Sequence, residues 1–287
     1  MSKTNRSELR SRIPRLVTSL PEFKAVGHGG TDVGRRREVN EDSYLIIPKN
    51  HIWIVADGMG GHAGGQVAST ITAEVVGRAL LQRIKDAEDA SKGGDEPIPM
   101  AKIIEASIGE ACNTVYDTAR KRPDLAGMGS TVTAMLIYGS MAWFGHVGDS
   151  RAYLVRDGVI HQLTEDHSLV QEQVAAGLIT PEQAKSSLIR NIITRSIGFE
   201  RDVRVDTGAV PLKRGDRFIL CSDGLTGHVE DEEICEITQE LPRRSVPTHL
   251  IDLANSRGGE DNSTVICAEV VGRRGRQREK RRRNPAS

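Results

Sequence analysis

Five short segments share a pattern in which an apolar run leads to an acidic residue, usually beside a glycine. They are Arg37-Glu38-Val39-Asn40-Glu41-Asp42, Ile54-Val55-Ala56-Asp57-Gly58-Met59-Gly60-Gly61-His62, Gly145-His146-Val147-Gly148-Asp149-Ser150-Arg151, Ile219-Leu220-Cys221-Ser222-Asp223-Gly224 and Gly259-Glu260-Asp261-Asn262. Hard divalent cations such as Mg²⁺ and Mn²⁺ take carboxylate, carbonyl and water oxygens. Strand ends present such ligands accurately, and a glycine lets its own carbonyl approach an ion with no Cβ in the way. The chemistry these residues suit is therefore cation-assisted.

A lone Asp-Gly is more often a hairpin turn, and Asp157-Gly158 reads as one. Asp57 and Asp223 differ because each closes an apolar strand, where a carboxylate risks desolvation. If several such carboxylates converged, each pair at ~4 Å would cost roughly 4 kcal/mol at an effective dielectric near 20. Bound divalent ions reverse that sign.

The elements that must carry these residues are β-rich. Strands are expected at Tyr44–Ile47, Ile52–Ala56, Thr131–Tyr138, Met141–Val147, Arg151–Arg156, Arg217–Cys221 and Ser263–Val271, from their β-branched and apolar content. Short polar turns between several of them suit antiparallel hairpins. Helical periodicity covers Gly65–Lys85 and Ala101–Lys121, with Asp86–Pro99 read as a polar loop between them. A third helix is expected from about Ser168. Thr180-Pro181-Glu182-Gln183 has the cap, proline and glutamine of a new helix start, and another helix opens at Asp231. This order does not fit a doubly wound βαβ sheet. It predicts an α+β fold, a four-layer α-β-β-α sandwich with two central antiparallel sheets.

The chain has 287 residues, with 39 basic and 39 acidic side chains, and the zero balance hides an asymmetry. Residues 273–283 hold eight Lys/Arg and one Glu, and residues 1–24 hold six basic and two acidic residues. The remainder, 25–272, carries 25 basic against 36 acidic residues, a net of −11. Accordingly 1–24 is read as a basic arm, 25–271 as the folded domain and 272–287 as a basic disordered tail. So acidic a domain argues against nucleic-acid binding, although short basic runs do bind phosphate backbones. No apolar run reaches the ~20 residues of a membrane span, and the N-terminus has no secretory apolar stretch. A monomer in the cytoplasm is expected. Cys112, Cys221, Cys235 and Cys267 form no C-x-x-C pair, so neither a zinc site nor a disulfide framework is indicated.

Between Arg37 and Val265 the motifs R-x-x-N-E-D, A-D-G-M-G-G-H-x-G-G, G-x-G-S-T, G-H-V-G-D-S-R-A-Y, L-T-x-D-H-S, C-S-D-G-L and G-G-x-D-N-S-T-V occur in that order. Together they resemble the bacterial branch of the metal-dependent serine/threonine protein phosphatases, type 2C, over about Val26–Val271. One such motif is weak evidence; seven in order are specific.

The resemblance implies a site and a reaction. Asp57 would bridge two Mn²⁺ or Mg²⁺ ions, with the carbonyl of Gly58 on one of them and Asp223 and Asp261 completing the other. Glu41 and Asp42 would hold metal-bound waters, and Asp149 would serve a third, weaker metal site. A water activated between the ions would attack phosphorus in line. Arg37 would bind phosphate oxygens, and His62 would protonate the leaving serine or threonine oxygen. His146 and His167 fall in the motifs but suit supporting roles. Residues 168–195 match the family's mobile flap, where Ser186-Ser187-Leu188-Ile189 precedes Arg190-Asn191 in place of the His-Pro of many bacterial members. The implied partners are phosphoproteins, namely Ser/Thr kinases and their substrates.

Overall fold

The computed structural model describes residues 23–60, 63–91, 97–185 and 187–273. It contains two five-stranded sheets in which every paired strand is antiparallel. The first has the order β1 (Phe23–Asp32), β12 (Ser263–Arg273), β11 (Arg217–Cys221), β8 (Arg151–Arg156) and β9 (Val159–Gln162). The second runs β10 (Asp206–Pro211), β7 (Met141–Val147), β6 (Val132–Tyr138), β3 (Ile52–Ala56) and β2 (Ser43–Ile47). A two-stranded ribbon, β4 (Gly58–Met59) with β5 (Gly129–Ser130), lies beside the second sheet.

Three apolar layers hold four structural ones together. Between the sheets, Trp53, Val55, Met135, Phe144, Leu154, Phe218 and Leu220 interleave. The outer face of the second sheet is covered by α1 (Ala63–Ala90) and α2 (Met100–Lys121). In α2 the buried residues Ile104, Ile108, Ala111 and Val115 recur at helical spacing, so one stripe faces the sheet. The outer face of the first sheet is covered by α5 (Asp223–Thr226), α6 (Asp231–Glu240) and α7 (Val246–Ser256), with Leu225, Ile234, Leu250 and Ile251 buried against Ile219 and Cys267. The expected α-β-β-α sandwich is the observed one.

Strand direction explains where the acidic residues gather. The pairs Ser43↔Ala56, Val55↔Thr133 and Thr133↔His146 align one end of the second sheet. In the first sheet, Asp32↔Ser263, Cys221↔Val265 and Cys221↔Arg151 align one end in the same way. Asp42, Asp57, Asp149, Asp223 and Asp261 all lie just beyond these ends. An antiparallel sandwich thus brings together segments as far apart in sequence as Asp42 and Asp261.

Local chemistry sets the remaining elements. α3 (Leu169–Ala175) starts as expected, with the Ser168 hydroxyl accepting the Gln171 N–H at 3.4 Å. Before α4 (Pro181–Lys185), Thr180 and Gln183 exchange side-chain and backbone hydrogen bonds, the capping box read from the sequence. One helix boundary and several elements, β1 among them, differ from expectation. α1 continues to Ala90, five residues into the segment read as loop, because Asp86–Ala90 holds no proline or glycine. β1 begins at Phe23, whose ring is buried between the sheets, inside the segment read as an arm. β9, β10 and α7 were not expected. Gly208 and Pro211 interrupt the β10 pattern, and Pro247 reads as a helix break although proline is tolerated in a first turn.

Candidate metal centre

Backbone clamps hold the strand ends. Asp57 donates its N–H to Thr131 Oγ1 at 2.9 Å, and its carbonyl accepts the Thr131 N–H at 2.8 Å. Thr131 Oγ1 also lies 2.8 Å from Ser150 Oγ, linking the Asp57 corner to the one that holds Asp149. Asn262 knits the 33–41 loop: its Nδ2 donates to the carbonyls of Val33 and Val39 at 2.9 and 3.0 Å, and its Oδ1 accepts the Glu41 N–H at 2.7 Å. The Ser222 hydroxyl donates to Asp42 Oδ2 at 2.7 Å and accepts the Thr264 N–H at 2.9 Å.

Glycines make room around Glu41. A Cβ at Gly58 would stand 2.1 Å from the Gly65 carbonyl oxygen and 2.5 Å from that of Glu41. One at Gly65 would stand 2.5 Å from Glu41 Oε1. The start of α1 therefore lies directly on this acidic segment, and only glycine fits at either contact.

The electrostatics are those of crowded carboxylates. Burial, followed by the charges of Asp42, Asp223, Asp149 and Asp261, pushes the Asp57 carboxyl well above its ordinary range. Burial and then the Asp223 and Asp166 charges do the same to Asp149. Asp223 is raised by burial and then by the charge of Asp261. Asp42 is pushed up to about 7 by burial, against the hydrogen bonds from Thr264 and Ser222. Burial and like charge thus raise four of these carboxyls, as expected for acidic groups gathered at one rim.

Most of the residues singled out in the sequence lie at or beside this rim. Arg37 reaches the cluster through a 2.8 Å ion pair with Asp261. Glu41, Asp42 and Asp149 are buried, and Asp57, Asp223 and Asp261 keep partial solvent contact. His62 lies outside the described residues. Thr131, Ser222 and Asn262 were not singled out as working parts, although all sit inside the motifs; their roles emerge only when distant strands meet. Cys221 is two residues from Asp223, but burial pushes its thiol up to about 12, which removes it as a nucleophile.

Does this cluster suit divalent cations? Among the described residues, no three His, Cys, Asp or Glu side chains stand ready-made around a single metal position. Asp261 is instead paired with Arg37, and Asp42 with Ser222. The donor set nevertheless fits. It is all oxygen, and Oδ1 of Asp42, of Asp149 and of Asp223 are buried with no hydrogen-bond partner. Buried acceptors facing like charges are stabilised by a cation or, without one, by taking up protons.

Such a centre, at the rim of a double antiparallel sandwich, defines a class of oxygen-ligated, metal-dependent hydrolases. Comparison with known proteins narrows the class. The Protein phosphatase 2C family model matches residues 30–256. Serine/threonine phosphatase stp of Listeria monocytogenes (strain EGD-e) is 40% identical over 243 residues, covering 83% of this chain and 93% of the Listeria protein. Serine/threonine protein phosphatase PstP of Mycobacterium tuberculosis (strain H37Rv) is 39% identical over 242 residues, 84% of this chain but only 44% of that protein's length. The crystal structure of the PstP catalytic domain in complex with two manganese ions superposes with a TM-score of 0.71 at 36% identity, over 86% of this chain and 98% of that one. The chain belongs to the protein phosphatase 2C family.

Proposed function

We propose that this chain hydrolyses phosphoserine and phosphothreonine in proteins, opposing Ser/Thr kinases, with two divalent cations in the cluster. The observation that carries the reading is the convergence of Asp42, Asp57, Asp149, Asp223 and Asp261 on one another's charge, at the positions where the family's motifs fall. The manganese-bound PstP domain supports a count of two ions. Asp57 would be shared between them, the Gly58 carbonyl would help hold one, Asp223 and Asp261 would hold the other, and Asp149 would serve a third position. Mg²⁺ suits the same oxygens as Mn²⁺. Bound there, the cations supply an acidified water and neutralise the phosphoryl charge.

The chain's own residues do the rest. Glu41 and Asp42 accept hydrogen bonds from water at the cluster's edge. Arg37, half-exposed with Nη2 on Asp261, has further guanidinium N–H groups with which to bind two phosphoryl oxygens and orient the monoester. His62 delivers the proton that the departing seryl or threonyl oxygen needs. The domain spans 23–273, two residues further at each end than the 25–271 expected from the sequence, and works as a monomer in the cytoplasm on kinases and their substrates. No helix among the described residues is long and apolar enough to cross a membrane.

The test is phosphate release from phosphothreonine and phosphotyrosine peptides by metal-stripped protein, with and without added Mn²⁺. Release from phosphothreonine alone, dependent on Mn²⁺ and abolished by EDTA, is expected. Full turnover in excess chelator would sink the reading.

A further inference from the structure

His167 is almost fully buried, yet it touches none of the acidic side chains proposed as metal ligands. It grips Gly148, the residue before Asp149, from two directions. Its backbone N–H donates to the Gly148 carbonyl at 2.7 Å, and its ring Nδ1 accepts the Gly148 N–H at 3.1 Å. That second bond fixes the ring's tautomer, because an accepting Nδ1 leaves the proton on Nε2. Nε2 faces Asp206 Oδ2 at 3.3 Å, the arrangement that orients an imidazole.

Gly148 needs such a grip. Its φ of +112° lies where side-chain-bearing residues are strained, and a Cβ there would stand 2.6 Å from Thr131 Cβ. Thr131 is the residue that clamps Asp57. The Asp149 corner is thus wedged against the Asp57 corner, with His167 closing it from behind.

The same histidine is joined to the segment 168–195. Its carbonyl accepts the Thr194 N–H at 2.8 Å, and Ser168 pairs with Ile193. Arg195 Nη1 donates to Asp206 Oδ1 at 3.0 Å, so one carboxylate orients the His167 ring and anchors the end of that segment. We infer that His167, oriented by Asp206, is a positioning residue that sets Gly148 and hence Asp149, and couples their placement to the 168–195 segment. The inference rests on the reading of Asp149 as a metal ligand.

Two near-isosteric substitutions separate the ring's two bonds. In His167→Asn the amide oxygen takes the place of Nδ1 and can still accept the Gly148 N–H; in His167→Gln the amide nitrogen takes the place of Nε2 and can still donate to Asp206. The experiment is calorimetric titration of Mn²⁺ into the full-length, metal-stripped protein, with Asp149→Asn defining which binding event depends on Asp149. His167→Gln is expected to weaken that event by about tenfold or more, as losses of ligand-orienting partners do, while His167→Asn stays within about threefold of the parent. Amide exchange at Gly148 supplies a second readout that needs no metal, and it should accelerate in the glutamine variant only. Equal effects of the two variants on both readouts would overturn the inference. If Asp149→Asn itself leaves Mn²⁺ binding unchanged, the ligand reading of Asp149 falls and the inference falls with it. An altered Asp149→Asn beside a parent-like His167→Gln would overturn the inference alone.

Discussion

The dipeptide Asp-Gly occurs at 57–58 and again at 157–158, and the two have opposite physical meanings. Asp157 and Gly158 are the central residues of the β8–β9 hairpin, both with positive φ (52° and 82°), closing the Arg156↔Val159 pair. That is the two-residue turn matching the twist of antiparallel strands. The Asp157 side chain is 81% exposed and has a loose ion pair with Lys213 at 3.7 Å. Asp57 closes a fully buried strand, is held at both backbone groups by Thr131, and faces four other carboxylates. In the turn, glycine supplies a backbone conformation. At Gly58 it supplies space, because backbone oxygens from two other segments occupy the Cβ position. Surroundings, not the dipeptide, make the site.

The sharpest way to break this contrast is to remove one charge at each position. Asp57→Asn should lower turnover on the order of a thousandfold, since a metal ion contributes several kcal/mol to the transition state and each ~1.4 kcal/mol is tenfold in rate. Asp157→Asn should leave turnover unchanged. Steady-state kinetics on a phosphothreonine peptide at saturating Mn²⁺, with circular dichroism to verify folding, measures both. Equal losses in two folded variants would erase the distinction.

The glycines separate next. Gly58→Ala drives a methyl into the carbonyl oxygens of Gly65 and Glu41, so the ribbon or the start of α1 must move. Overpacking against backbone costs about 3 kcal/mol or more, since neither neighbour can rotate away. Urea unfolding should show that loss, and Mn²⁺ affinity should fall with it because the Gly58 carbonyl moves as well. A variant as stable as the parent would mean that the close approach at Gly58 is not a constraint.

Metal removal tests the electrostatic half of the contrast. The folded-state pKa of Asp42, about 7, lies above its unfolded value near 4, so between these pH values the folded chain binds the extra proton. The contribution of this group therefore stabilises the chelated protein at the acidic end of the window and is lost as pH rises through about 7. Asp42→Asn should flatten that part of the stability–pH curve, whereas Asp157→Asn should not alter it. Thermal unfolding in EDTA across pH 4.5–7.5 is the measurement, and an unchanged slope in Asp42→Asn would count against the buried, repelled state of that carboxyl.

What could be read from the sequence follows the same division. The strands from Ile52–Ala56 to Arg217–Cys221 announced themselves by β-branched runs, and the ligand candidates by their place at strand ends. Convergence could not be read that way, because it depends on which strand ends share a rim, and that follows from pairings such as Cys221↔Val265 and Ser43↔Ala56. Order of motifs supplied it through family resemblance. Thr131, Ser222 and Asn262 stayed hidden for a related reason, and His167 was read as a supporting residue without its partners: each works through hydrogen bonds to a segment remote in sequence, and no local spacing encodes the partner. β10 was missed because Gly208 leaves room for the Phe144 ring, a tertiary demand that overrides strand propensity.

The smallest expected effect lies in the hairpin itself and bounds the contrast from below. Gly158→Ala places a side chain at φ +82°, which costs about 1 kcal/mol for the left-handed backbone. The new methyl meets only Gln239 Oε1 at 3.5 Å, ordinary contact distance, so no steric cost is added. Asp157→Asn removes the exposed pairing to Lys213, worth at most about 1 kcal/mol, and asparagine is favoured at positive φ in this turn. Urea denaturation should therefore give a modest loss for the alanine variant and a change near zero for the asparagine variant, both with unaltered turnover. A Gly158→Ala protein that lost activity at parent-like stability would tie the β8–β9 turn to the centre at the other end of β8, and the two Asp-Gly pairs would no longer be separable.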